Sequence, residues 1–207
     1  LLSQQIGKAR EACPDASAVG VGIPATLDHE SGRVISTVNL DLEDVPIRDR
    51  LTELVGLPVA IENDGNLAML AEALYGAARG ARTALLLTIG TGIGGGVWLN
   101  GEIFRGSTGA GAELGHVVVD IDGYPCQKNC PNRGCVETMA SGTAIGRHGR
   151  DEAQANPGSL LGRMLAEGRE IDAKAVNEAA RQGDEAAIAA VGKAGHYLGQ
   201  ALVSMAN

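Results

Sequence analysis

Aromatic side chains are almost missing from this chain: one tryptophan, one phenylalanine and three tyrosines make up 2 % of its 207 residues. Hydrophobic residues still account for 44 %, so a sizeable core is available, and with Trp98 and Phe104 nearly alone that core must be aliphatic. Basic residues are also in deficit. Seventeen lysines and arginines face 25 aspartates and glutamates, a formal charge of -8 at pH 7, which argues against a nucleic-acid surface and against a polybasic membrane patch. No stretch approaches the roughly 18 uninterrupted apolar residues of a membrane span. The first residues show no charged segment, apolar run and small-residue cleavage site in succession, and a soluble, cytoplasmic protein is expected. Cysteine is scarce, and three of the four lie between Gly111 and Glu137 with Cys13 far away. That distribution is unlike a disulfide framework and fits metal binding in a reducing compartment. An initiator methionine is lacking as well. The chain opens in what reads as a helix, LLSQQIGKAREA, and stops at Asn207 on the rim of another, which points to a piece of a longer protein.

A length of 207 residues suits the upper edge of one domain or two small ones. Strand and helix signals alternate, giving an α/β expectation. Leu2 to Ala12 reads as a helix, Ala18 to Ile23 as a strand closed by Pro24, and residues 25–48 as turns and connectors. Asp49 to Val55 is a predicted helix ended by Gly56 to Pro58, Val59 to Ile61 a strand, and Leu67 to Ala78 a helix with Leu67, Leu70, Ala71 and Leu74 at core spacing. Ala84 to Ile89 is an apolar strand, followed by a glycine loop from Gly90 to Gly96, a short strand to Leu99 and a hairpin turn at Asn100–Gly101. His116 to Asp120 alternates as a strand. From Ser141 onward the chain is alanine-rich with charged faces, broken at Asn156–Pro157–Gly158 and near Gly183, and reads as at least three helices.

Three constellations carry chemistry. His116, Cys126, Cys130 and Cys135 supply one imidazole and three thiolates, a set that favours tetrahedral zinc; free thiols or a redox pair are the alternative. Four protein ligands leave no open position for water, so the metal's task is to order the loop and hold Glu113 and Glu137 in place. Glu62–Asn63–Asp64 sits at the carboxyl end of a strand, where open α/β sheets bind ligands. There Asp64 can take a proton from a hydroxyl and Asn63 can hydrogen-bond its neighbours, while an Asx turn would explain the same residues. Gly90, Thr91, Gly92, Gly94 and Gly95 follow an apolar strand, and their backbone N–H groups can converge on an anion; a plain glycine-rich hairpin is the other reading. Together these are parts for phosphorylating a polyhydroxylated molecule.

The order of the pieces, GVGIP near Gly20, PVAIENDGN, LLLTIGTGIGGG, GAELGH, the cysteine loop and ETMASG, resembles the bacterial ROK family of repressors and sugar kinases, within the actin-like ATPase superfamily. The resemblance implies an α/β, ribonuclease H-like two-domain fold with a zinc-stabilised loop. One division runs from 1 to 78 and the other from 79 to 207, with the zinc loop at 116–137 and the last helix near the hinge. It implies ATP-dependent phosphorylation of a hexose at its 6-hydroxyl, glucose first, with ATP, Mg2+ and Zn2+ as cofactors and a homodimer or homotetramer as the assembly. Asp64 then takes the part of catalytic base. Asn63, Glu113, His116 and Glu137 become sugar ligands, His116 serving the metal too, and Gly90 to Gly95 with Thr91 the second phosphate loop. Alternatives within the resemblance are a sugar-responsive repressor, a kinase for fructose, mannose or an N-acetylhexosamine, and polyphosphate as donor. Two departures stand out: Gly65 replaces a common alanine, and three residues rather than one separate Cys126 from Cys130. The family's first phosphate motif and the glycine pair completing its adenosine pocket are not in these 207 residues, so the piece alone is expected to bind ATP poorly.

Overall fold

The amino-terminal part of the chain runs α1 (Leu2–Ala12), β1 (Val19–Ile23), β2 (Ala25–Asp28), β3 (Arg33–Thr37), α2 (Ile47–Val55), β4 (Val59–Asn63) and α3 (Asp64–Tyr75). The computed structural model describes residues 2–37, 42–126 and 130–207. β1 and β4 pair in parallel, Val19 opposite Val59 and Ile23 opposite Asn63, which carries β4 straight into α3. The helix starts there because the Asn63 side chain caps it, accepting from the N–H groups of Gly65 and Asn66. α2 ends where Gly56 adopts a φ of 65° and returns its N–H to the Thr52 carbonyl. Ile6, Ile23, Leu27, Val34, Leu51, Val55 and Val59 close over one another as an aliphatic core.

The expected connectors between 25 and 48 contain a β-hairpin instead. β2 and β3 pair antiparallel, and Asp28 builds the turn by accepting from Glu30 N–H, Ser31 N–H and the Ser31 hydroxyl. The Ser31 hydroxyl and then its amide hold the Asp28 carboxyl below its ordinary range. Residues 38–41 of the expected connector lie outside the described ones.

β5 (Thr83–Ile89), β6 (Ile93–Leu99) and β7 (Glu102–Ile103) form a sheet in that order. Asn100 and Gly101, at φ 55° and 89°, make the predicted hairpin turn between β6 and β7, with Trp98 opposite Ile103. The predicted glycine loop is shorter than expected. Only Gly90 to Gly92 turn, and Gly94, Gly95 and Gly96 belong to β6. Close packing explains the last of them: a Cβ on Gly96 would run into the Met69 side chain and lie 2.8 Å from the Gly65 carbonyl oxygen of α3.

Where the sequence suggests one cut after Ala78, compactness divides the chain at three points. One unit holds Leu1–Leu86 and Gly96–Ala112, the other Leu87–Gly95 and Glu113–Asn207. In the second unit a 3-10 turn (Leu114–His116) precedes α4 (Val136–Ala140), α5 (Gly142–Ala155), α6 (Leu160–Ala166), α7 (Ala173–Arg181) and α8 (Glu185–Ala206). The strand predicted from His116 to Asp120 does not form. His116 N–H closes the turn onto the Glu113 carbonyl, and what remains is a single bridge between Val118 and Cys135. α5 to α8 open on Ser141, Ser159, Asp172 and Asp184, each accepting from a backbone N–H of its helix. Leu161, Ile171, Val176, Ala179, Ala187 and Ala190 form one buried cluster of this unit; Ile93, Val136, Ala140, Ala194 and Ala201 form another. Among the described residues no helix is long and apolar enough to cross a membrane.

Candidate active site and metal centre

In the first unit the acid turn follows directly from the β4 to α3 junction. Asp64 is the first residue of α3 and is exposed. Asn63 satisfies the Asx-turn reading: its Oδ1 accepts from Gly65 N–H at 2.9 Å and Asn66 N–H at 3.1 Å, and its Nδ2 donates to the Ala25 carbonyl at 3.2 Å. The acceptor is therefore engaged in capping, which leaves at most one amide N–H for a ligand.

Glu62, the third member of the turn, faces inward and is 9 % exposed. Its Oε1 accepts from Asn63 N–H at 2.8 Å and from Asn66 Nδ2 at 3.1 Å. Its Oε2 receives both Arg105 Nε at 3.0 Å and Nη2 at 2.8 Å, and His29 Nε2 stands 3.4 Å from Oε1. Sequence reasoning missed Arg105 and His29. A buried carboxylate calls for a cation, but Arg105 is 43 positions away and nothing local announces it. Both residues also line a cavity of about 630 Å³ in this unit, with Leu27, Asp28, Arg33 and Thr108.

In the second unit the four predicted metal ligands converge. One ring nitrogen of His116 and the Sγ atoms of Cys126, Cys130 and Cys135 all lie within 4.8 Å of one another. Cys126 Sγ is 3.3 Å from His116 Nδ1, and Cys130 Sγ is 3.9 Å from Cys135 Sγ. Tetrahedral zinc with bonds of about 2.3 Å spaces its sulfurs by about 3.8 Å, so this donor set fits such an ion. Burial, then the neighbouring Cys126 and Cys130, push the Cys135 thiol up to about 12; a central cation reverses that balance, because coordinated thiols are deprotonated. The backbone pins the loop too. Gly134 N–H donates to the Tyr124 carbonyl, and the Gly134 carbonyl accepts from Val119 and Asp120 N–H. Gly134 has a φ of 61°, and a Cβ there would collide with the Asp120 carbonyl. Residues 127–129 of the loop lie outside the described ones.

His116 splits its two nitrogens between tasks. Nδ1 faces the thiols, while Nε2 is 3.9 Å from Glu113 Oε2. Glu137 follows Cys135 by two residues and sits in the first turn of α4. Its Oε2 accepts from Ile93 N–H at 2.8 Å, beside Gly92, where a Cβ would strike the same carboxylate. One acid thus joins the cysteine loop to the glycine turn, a link the sequence could not show. The turn is also held by Gly142 N–H and the Thr143 hydroxyl, which donate to the Gly90 and Thr91 carbonyls at 2.8 Å each. Of the predicted phosphate residues, Gly90 and Thr91 are exposed on this turn and Gly92 is part of it, whereas Gly95 is buried in β6. Behind α4, Arg147 donates to the Thr138 carbonyl, and His148 Nε2–H reaches the Met139 carbonyl at 3.0 Å. Asn63 and Asp64 belong to the first unit, and Glu113, His116, Glu137 and the glycine turn to the second.

The pattern that defines the ROK family matches residues 1–207. The chain belongs to the ROK family. This ROK chain is 36 % identical over all its 207 residues to a glucokinase of Halalkalibacterium halodurans, 62 % of whose length it spans. The crystal structure of a ROK family glucokinase from Streptomyces griseus in complex with glucose and AMPPNP is similar to it with a TM-score of 0.80 and 35 % identity, over 99 % of this chain and 67 % of that one. A ROK family transcriptional regulator, homolog of the E. coli MLC protein, is similar with a TM-score of 0.84 and 28 % identity, over 99 % of this chain and 51 % of that one. The ROK chain has the α/β fold of these glucokinases, consistent with the actin-like ATPase class.

Proposed function

We propose that the whole protein transfers the γ-phosphoryl group of ATP to the 6-hydroxyl of a hexose, with glucose as the first substrate. The observation that carries this reading is Asp64, an exposed carboxylate on the first turn of a helix that leaves the end of a parallel strand. In this role Asp64 takes the hydroxyl proton while the sugar oxygen attacks the γ-phosphorus and ADP departs. Asn63 donates its remaining amide hydrogen to the sugar, and Glu113, His116 Nε2 and Glu137 bind further hydroxyls. Thr91 and the glycines from Gly90 to Gly95 serve the nucleotide phosphates, the exposed turn making the contact. Mg2+ would neutralise those phosphates. Zn2+ held by His116 Nδ1, Cys126, Cys130 and Cys135 is structural, fixing the ring of His116 and the start of α4. A cytoplasmic homodimer or homotetramer completes the proposal.

The test is a panel of hexoses with the full-length protein, ATP and magnesium, reading phosphorylated product. Glucose is expected to be turned over. Asp64→Asn is expected to lower kcat by about 10²- to 10⁴-fold with unchanged affinity for glucose, as for a group needed chiefly in the transition state. Unchanged turnover in that variant would overturn the role of Asp64. The second reading, a sugar-responsive regulator, draws on the similarity to a regulator reported above; product with no hexose, together with sugar-dependent DNA binding, would establish it.

A further inference from the structure

We propose that Arg105 and His29 are positioning residues for the base, acting through Glu62; the inference rests on the kinase reading above. A carboxylate as enclosed as Glu62, at 9 % exposure, is strongly destabilising unless its charge and its lone pairs are all met. Here three directions supply hydrogen bonds and a fourth brings an imidazole close. Asn63 N–H binds it from the turn itself and Asn66 Nδ2 from α3, while Arg105 reaches it from the segment after β7 and His29 from the turn between β2 and β3.

Glu62 is therefore the knot between the strand that ends at Asn63 and the helix that begins at Asp64. Its Oε1 holds residues 63 and 66, which flank Asp64 in sequence, and its Oε2 is given wholly to Arg105. The arginine is itself fixed. Its carbonyl accepts from Gly111 N–H at 2.9 Å, Phe104 N–H donates to the Val97 carbonyl at 2.8 Å, and a Cβ on Gly109 would strike the Leu27 carbonyl of β2. The guanidinium thus transmits the position of a braced loop to the acid turn. His29 Nε2 is buried, has no hydrogen-bond partner among the described residues, and stands 3.4 Å from Oε1; it adds a close neighbour to the same carboxylate. None of the three touches a reacting atom. Their effect is on where Asp64 sits, and small displacements of a reacting group cost rate steeply.

The experiment uses the full-length protein with glucose and ATP·Mg, at a temperature where circular dichroism shows each variant folded. Arg105→Met is expected to lower kcat about 10- to 100-fold with KM for ATP unchanged. Arg105→Lys, which restores one charged donor but not the fork, is expected to recover about half of that loss on a logarithmic scale. Glu62→Gln keeps the shape of the side chain and should fall by a similar factor. Its combination with Arg105→Met should add no more than about threefold, because residues acting as a unit are not additive. His29→Ala should show a smaller fall in kcat of the same kind. Arg33→Met, which opens the exposed pair with Asp44 on the same cavity wall, should leave kcat where it was. In Arg105→Met the amides of Gly65 and Asn66 should exchange hydrogen about tenfold faster.

An active parent whose Arg105→Met variant turns over within twofold of it would overturn the inference and leave the kinase reading standing; so would a loss that Arg105→Lys fails to recover. A parent inactive on every hexose would overturn the kinase reading, and the inference with it. The exchange rates would then still decide whether Arg105 holds the turn: unchanged exchange at Gly65 and Asn66 would show that it does not.

Discussion

Asn63 and His116 each answer two demands with different atoms of one side chain. Asn63 was open to an Asx-turn reading and a ligand reading, and the turn now accounts for its oxygen and one amide hydrogen. His116 turns Nδ1 to Cys126 and Nε2 toward Glu113, which on the kinase reading lets a metal ligand also face a sugar. Residue identity was legible here because the motifs are local. What could not be read were partners distant in sequence: Arg105 for Glu62, Ile93 for Glu137 and Met139 for His148. His148 carries a prediction of its own. It is 1 % exposed, and burial holds its pKa below the ordinary 6.5, against the pull of the Met139 carbonyl. The unfolded chain therefore takes up a proton first as pH falls. Stability is full above about pH 6.5 and declines below it until the folded imidazole is protonated as well. Urea midpoints between pH 7.5 and 5.5 should fall in the parent and fall less in His148→Gln; equal slopes would contradict the assignment.

Among the elements, the helices of the second unit were the easiest to foresee. Ser141, Ser159, Asp172 and Asp184 stand where a helix needs an acceptor, and the breaks at 156–158 and 183 part α5 from α6 and α7 from α8. The β2–β3 hairpin was hidden because strands of four and five residues leave too little alternation to see. Gly94 to Gly96 misled for another reason: glycine usually signals a turn, whereas Gly96 is small so that α3 can lie against the strand. Two element-level predictions follow from shared anchors. Asp184 caps α8 through Ala187 N–H and also accepts from Leu160 and Leu161 N–H at the start of α6. Asp184→Ala should therefore cost about 2 kcal/mol, against about 1 for a single cap, measured by denaturant unfolding. Cys130→Ser should lower metal content, read by elemental analysis, and speed amide exchange from Cys126 to Cys135. Full metal content in that variant would remove Cys130 from the ligand set.

For the molecule as a whole, the α/β class and the aliphatic core were visible from composition and alternation, because both are sums over many residues. The division into units was not, since β5 and β6 each pass from one unit to the other, and a boundary crossed within a strand leaves no compositional trace. On the kinase reading the second unit also couples two ligands that need never meet. Cys135 immediately precedes α4, and the Glu137 carboxylate, on the first turn of that helix, grips the N–H of Ile93 just beyond the glycine turn. On the kinase reading, stripping the ion with a chelator should weaken nucleotide affinity, by about 5- to 150-fold if the coupling is of ordinary size, and calorimetry should return the same factor for nucleotide on ion retention. A cell short of zinc would then lose sugar flux by starving the enzyme of its phosphoryl donor, although the ion touches neither substrate.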